Sequence, residues 1–274
     1  MSREWPGSRR GSLGLRRRWL LALAAAGAVA AGALVLIPTS SHPPASRRHA
    51  PPRAGSRGPR DPVGRRRIDL GRSVQGRPIQ AVELGDLDNE QSLLVVGVIH
   101  GNETAGIPIA RRLASGPPGR ERLLIVVKDL NPDGVAAGTR QNADRVDLNR
   151  NFPWRWRPLG SPGYLQYSGP RPLSEPEARA ARALILRRRP SIAIWFHQPL
   201  GLVDESGGSV RVERRFSKLS GLPLRRLTRY PGSAVGWENH RLPHGTAFVV
   251  ELPPGRLSGP AVSRYADAVA DIAS

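Results

Sequence analysis

Four uninterrupted apolar runs constrain this chain most. Ser92–Ile99 (SLLVVGVI), Leu123–Val127, Ile192–Phe196 and Ala247–Val250 contain no charged residue. Such runs, without polar alternation, are the pattern of strands covered on both faces, as in parallel sheets. Ile79–Leu84 offers a further strand. Helical stretches fall between the runs: Thr104–Leu113, Glu175–Arg189 and Ala261–Ile272. In the second of these, Ser174 and Glu177 have capping-box spacing and Pro176 lies in the first turn. Buried strands alternating with helices predict a layered α/β domain. In such sheets, sites collect where strands end and loops begin.

The domain is expected over residues 68–274, behind three segments of a different kind. Residues 1–18 are a basic n-region ending in Arg16-Arg17-Arg18, and residues 19–37 (Trp19 to Ile37) are apolar up to Pro38. A charged start followed by an uncharged apolar run reads as a signal peptide or a transmembrane anchor. Small residues at Ala28-Val29-Ala30 and Ala31-Gly32-Ala33 suit cleavage, but Leu34–Ile37 would then remain as an apolar stub, which favours an uncleaved anchor. The expected location is therefore extracytoplasmic, with membrane contact through this segment. Residues 38–67 are rich in Pro, Ser, Gly and Arg and read as a disordered tether ending in Arg65-Arg66-Arg67.

A net charge of +20 first suggests nucleic acid. The excess is uneven, since residues 1–67 hold 14 Arg against two acids. No zinc-finger spacing or aromatic-rich basic strand accompanies it, so no nucleic-acid partner is expected. The chain has no cysteine, which leaves His and carboxylates as the only ligands for a metal.

Two apolar runs lead into histidine. Ser92–Ile99 runs into His100-Gly101-Asn102-Glu103, and Ile192–Phe196 into His197-Gln198-Pro199. Alone, His-x-x-Glu is a common pattern, and a surface His beside a helix-start Glu is its plainest reading. Together, His100, Glu103 and His197 have the composition of an open His₂Glu zinc site, where zinc polarises a carbonyl and lowers the pKa of water to about 7.

Residues 138–153 read Gly-Thr-Arg-Gln-Asn-Ala-Asp-Arg-Val-Asp-Leu-Asn-Arg-Asn-Phe-Pro. Here the chain closely resembles the zinc carboxypeptidase family, and within it the small bacterial murein tripeptide amidases, over roughly residues 70–255. The resemblance implies a three-layer α/β/α domain around a mixed twisted sheet. It implies one zinc ion per chain, held by His100, Glu103 and His197, with Glu251 as general base. Arg140 matches the arginine that polarises the scissile carbonyl. Asn149 and Arg150 match the pair that grips the terminal carboxylate, a task suited to the planar guanidinium fork. Asp147 matches the carboxylate that orients the first zinc histidine, and Tyr230 the tyrosine that closes over the bound carboxylate as part of a lid. Arg145 stands where the family usually has a small residue, often Gly; a positive φ there would strain it. His240 and His244 are read as loop residues.

The implied reaction is hydrolysis of an amide that releases an amino acid with a free α-carboxylate. For murein tripeptide amidases the bond is γ-D-glutamyl–diaminopimelate, so the expected partner is a cell-wall-derived peptide. Three alternatives stay open: a general exported carboxypeptidase, an N-acyl amino acid deacylase of the succinylglutamate desuccinylase or aspartoacylase type, and a non-catalytic wall-peptide binding module. Retention of Glu251 and Arg140 argues against the last.

Overall fold

The four apolar runs become four adjacent parallel strands. In a computed structural model describing residues 63–119 and 122–272, they are β3 (Ser92–Val96), β4 (Leu123–Val127), β5 (Ile192–His197) and β8 (Thr246–Glu251). The eight-stranded sheet has the order β1-β2-β4-β3-β5-β8-β6-β7, completed by β1 (Gly64–Arg72), β2 (Pro78–Gly85), β6 (Leu202–Asp204) and β7 (Leu224–Arg225). β1, β2 and β4 pair antiparallel, as do β8 and β6, so the sheet is mixed.

Helices cover both faces. α3 (Pro176–Arg188) and α5 (Ala234–Arg241) pack on one, through Leu184, Ile185 and Trp237 against Leu94, Val96 and Trp195. α1 (Gly106–Ser115), α4 (Val210–Ser220) and α6 (Gly259–Ile272) pack on the other, through Ile109, Phe216 and Tyr265 against Leu93, Val95 and Ile194. Successive strand residues thus serve opposite cores, which is why β3 and β5 read as continuous apolar runs rather than alternating ones. The three-layer expectation holds. A short helix, α2 (Pro132–Ala137), follows β4.

Several boundaries differ from the sequence reading. The domain begins at β1, so Arg65–Arg67 belong to a strand and not to the tether. Their backbones pair with β2, Ile68 and Leu70 pack against the core, and Arg66 Nε lies 2.7 Å from the buried carboxylate of Glu83. The capping box does not form: Glu175 occupies the cap of α3 without a side-chain cap bond, and Ser174 Oγ instead donates to Glu175 Oε1 at 2.6 Å. His240 is not in a loop; it lies in α5 and stacks on Trp154 with ring centroids 3.4 Å apart. The expected n-region, the apolar segment 19–37 and the tether up to residue 62 lie outside the described residues. Among the described residues, no helix is long and apolar enough to cross a membrane.

Candidate metal centre and cleft

β3 and β5 are neighbours, as are β5 and β8, and all three run in the same direction. Their C-terminal ends therefore deliver side chains to one edge. β5 ends on His197, which pairs in register with Glu251 at the end of β8. The chain leaving β3 reaches His100 and Glu103 before α1 begins. That turn is tight, because α1 starts against the strand: a Cβ added to Gly106 would lie 2.0 Å from Gly97 O.

The three expected ligands converge. His100 Nδ1 lies 3.0 Å from Glu103 Oε1, His197 Nδ1 lies 3.0 Å from Glu103 Oε2, and the two Nδ1 atoms are 3.1 Å apart. All three residues are buried. Two imidazole nitrogens facing each other beside a carboxylate are repulsive unless a cation or a proton lies among them. Tetrahedral zinc with arms of about 2.0–2.1 Å sets its ligand atoms roughly 3.3 Å apart, so this donor set fits that ion.

The surrounding bonds orient the set. His100 Nε2 lies 3.0 Å from Asp147 Oδ1. A proton on Nε2, donated to that carboxylate, leaves the Nδ1 lone pair for metal. Asp147 is fully buried; burial favours its neutral form, but His100, Arg140 and Arg150 outweigh this and hold its carboxyl far below the usual range. Arg140 bridges two acids, with Nε 3.1 Å from Asp147 Oδ2 and Nη1 3.0 Å from Glu103 Oε1. The Gln198 backbone N–H donates to Glu103 Oε2 at 3.1 Å, and its side-chain Oε1 accepts from Ala105 N at 2.9 Å. Gln198, which the sequence reading passed over, thus ties the two ligand-bearing segments together.

The segment 147–152 divides its labour. Asp147, Asn149 and Arg150 are the functional half. Leu148 and Phe152 are wholly buried, and Phe152 packs between Trp195 and Trp237 at 6.3 and 5.5 Å. Asn151 donates to Ser168 O, Arg171 O and Ser174 Oγ, and accepts from Glu175 N, so its role is to hold the segment in place. Upstream, Arg145 has φ of 59°, as its place in the turn foreshadowed, and the turn is clamped by Asn142, whose Oδ1 accepts from Val146 N.

Asn149, Arg150, Tyr230 and Glu251 line one cleft of about 390 Å³ with the ligand triad and Arg140. Arg150 is buried, its Nε has no partner, and its guanidinium carbon lies 4.2 Å from the centroid of the Tyr230 ring. A buried, partly unsatisfied cation is a strong attractor for a carboxylate. Asn149 Oδ1 accepts from Ala234 N at 2.9 Å, which turns its amide donors to other use. Tyr230 stands half exposed at the rim; its loop docks through Gly232, where φ is +69° and an added Cβ would sit 2.2 Å from Arg150 O. Glu251 Oε2 is buried without a hydrogen-bond partner, and burial pushes its carboxyl pKa above the usual value. All nine expected site residues therefore line this cleft or, for Asp147, stand directly behind it.

Comparison with known proteins agrees with this geometry. A zinc carboxypeptidase family model matches residues 60–116, and that of the succinylglutamate desuccinylase/aspartoacylase catalytic domain matches 89–168. Murein peptide amidase A of Vibrio campbellii is 34% identical over 200 residues, covering 67% of this chain and 78% of the relative. Its Escherichia coli counterpart is 31% identical over 216 residues, covering 74% and 87%. Among solved structures, the murein-tripeptide amidase of Escherichia coli superposes with a TM-score of 0.62 at 30% identity, over 81% of this chain and 96% of that one. Carboxypeptidase A of Helicoverpa armigera gives 0.65 at 17% identity over 77% and 69%, a likeness of fold alone. The metal of such enzymes is zinc, and the buried His₂Glu set has the donors for it. The chain belongs to the zinc carboxypeptidase family.

Proposed function

We propose that this protein hydrolyses the γ-D-glutamyl–diaminopimelate amide of cell-wall peptides, releasing the amino acid with its α-carboxylate free. One observation carries the reading: a His₂Glu set, a carboxylate with one buried, unpartnered oxygen and a buried, partly unsatisfied arginine share a single cleft. The amidase relatives supply the substrate class.

Zinc held by His100, Glu103 and His197 would supply Lewis acidity to polarise the scissile carbonyl and to acidify water. The chain's own residues do the rest. Arg150 and Asn149 take the substrate carboxylate and fix the amide relative to the triad, converting binding into orientation. Arg140, held rigidly by Asp147 and Glu103, presents fixed positive charge to the oxygen that becomes negative. Glu251 takes a proton from the attacking water and passes it to the departing amine nitrogen, so water's OH ends on the carbonyl carbon and its H on the amine. Tyr230, packed on Arg150, covers the carboxylate end. The Arg-flanked apolar run 19–37 supports an enzyme held at the outer side of the membrane, where wall peptides occur.

Incubating the zinc-loaded full-length protein with L-Ala-γ-D-Glu-diaminopimelate tests this, and release of free diaminopimelate is the expected result. Cleavage of only a blocked, α-linked dipeptide would replace the substrate assignment by a general carboxypeptidase. The desuccinylase/aspartoacylase match over residues 89–168 favours one other reading, an N-acyl amino acid deacylase. Turnover of N-succinyl or N-acetyl amino acids, with both peptides untouched, would establish it instead.

A further inference from the structure

A second pair of charges lies in the same cleft, apart from the residues used above. Asp204 ends β6, the strand whose Leu202 pairs with Glu251, so it lies one short step along the sheet from the general base. It is buried, at 3% exposure, and both it and Arg229 line the cleft. Asp204 Oδ1 accepts from Leu227 N at 2.8 Å. Its Oδ2 accepts from Ser206 Oγ at 2.7 Å and from Arg229 Nη1 at 2.5 Å. The Arg229 side chain is 40% exposed, and a bond through Nη1 leaves its fork with donors for a second carboxylate.

A buried acid paired with a half-exposed arginine adds little stability for its desolvation, and an apolar pair would fill the same space at no such cost. Its value lies in what it can bind. Opposite charges in contact match a group that itself carries an ammonium and a carboxylate on one carbon. Such a group can replace the internal contact with two external ones, ammonium to Asp204 and Ser206 Oγ, carboxylate to Arg229.

We propose that Asp204 and Arg229 form a subsite that reads the zwitterionic far end of the released residue's side chain. This rests on the carboxypeptidase reading in one respect: Arg150 and Asn149 hold the α-carboxylate, so the side chain of that residue extends into the rest of the cleft. Diaminopimelate has such an end. Lysine offers only the cation, and 2-aminopimelate only the anion. The pair therefore rejects lysine and 2-aminopimelate by leaving one of its own charges unmatched in a partly dry site.

Calorimetric binding of three free amino acids to the zinc-loaded full-length protein tests this: meso-diaminopimelate, L-lysine and L-2-aminopimelate. Wild type is expected to bind diaminopimelate about tenfold or more tightly than either of the others, the worth of one charge-assisted bond. Arg229→Gln should collapse the preference over lysine to near unity, and Asp204→Asn the preference over 2-aminopimelate. Equal binding of all three by wild type, preference for lysine, no diaminopimelate binding at millimolar concentration, or uniform losses in Arg229→Gln would each overturn the proposal. Should the variant of buried Asp204 fail to fold, that of the half-exposed Arg229 decides alone. Binding of free amino acids needs no bond cleavage, so failure to hydrolyse the γ-linked peptide would sink the proposed reaction while leaving this result to be read by itself.

Discussion

The Nε2 atom of His100 lies 3.0 Å from Asp147 Oδ1, and the other oxygen of the same carboxylate holds Arg140 Nε at 3.1 Å. One buried acid thus orients both a ligand imidazole and the guanidinium beside it. Asp147→Ala should weaken zinc binding about 10- to 100-fold, the usual effect of losing such an orienting partner. Competition with a chromophoric chelator measures it, and circular dichroism checks that the fold persists.

Arg150 should matter only to substrates with a free terminal carboxylate. Arg150→Ala is expected to lower kcat/KM on these by about 10- to 100-fold, the worth of one charged hydrogen bond. Steady-state kinetics on free and amidated forms of one peptide separate this anchoring role from general damage, which would lower both alike.

Glu238 faces the core from α5 with one bond, to Trp195 Nε1 at 3.0 Å, and burial pushes its pKa up to about 8. Its folded pKa is above the unfolded value, so between about pH 4.5 and 8 the native state holds a proton that the unfolded state lacks. This group's contribution therefore falls as pH rises through that window, by at most about 1.4 kcal/mol per unit. Glu238→Gln keeps the bond to Trp195 and cannot ionise. Urea titrations from pH 5 to 8 should show a flatter stability profile in the variant.

Arg145 holds a left-handed conformation at φ 59°. Relief of that strain, offset by the freedom glycine adds to the unfolded chain, leads us to expect Arg145→Gly to stabilise by about 0.5–1 kcal/mol. A β-branched residue there should destabilise. Denaturant midpoints of the two variants give the answer, with activity unaffected by the glycine.

What could be read in the sequence follows from burial. β3, β4, β5 and β8 are covered on both faces and so declare themselves as apolar runs. β1 is an edge strand whose Arg65, Arg66 and Arg67 are exposed, and it imitates the linker before it. β6 and β7 are only three and two residues long, too short for any periodicity. α5 is eight residues long, with a glycine and as many polar residues as others, and its cap comes partly from Asn149 Oδ1, far away in sequence. The cleft was legible because Asp147, Asn149 and Arg150 sit in one contiguous motif and the ligands end apolar runs. Asp204 and Arg229 are 25 residues apart in no motif, and only the fold brings them together. Gln198 and Asn151 escaped for a related reason: they act through hydrogen bonds to backbone and carboxylate groups that no local pattern announces.

Zinc-dependent hydrolysis in this cleft depends most on Glu251 as the proton carrier. The decisive assay is turnover of L-Ala-γ-D-Glu-diaminopimelate by full-length wild type and Glu251→Gln, both loaded with zinc and both assayed for metal content. The expected result is diaminopimelate release by wild type, a loss of at least about 10²-fold in kcat in the variant, and equal zinc in the two proteins. Turnover of the variant at the wild-type rate would contradict the role assigned to Glu251, and undiminished wild-type turnover after complete removal of zinc would contradict the metal-dependent reading of the whole site.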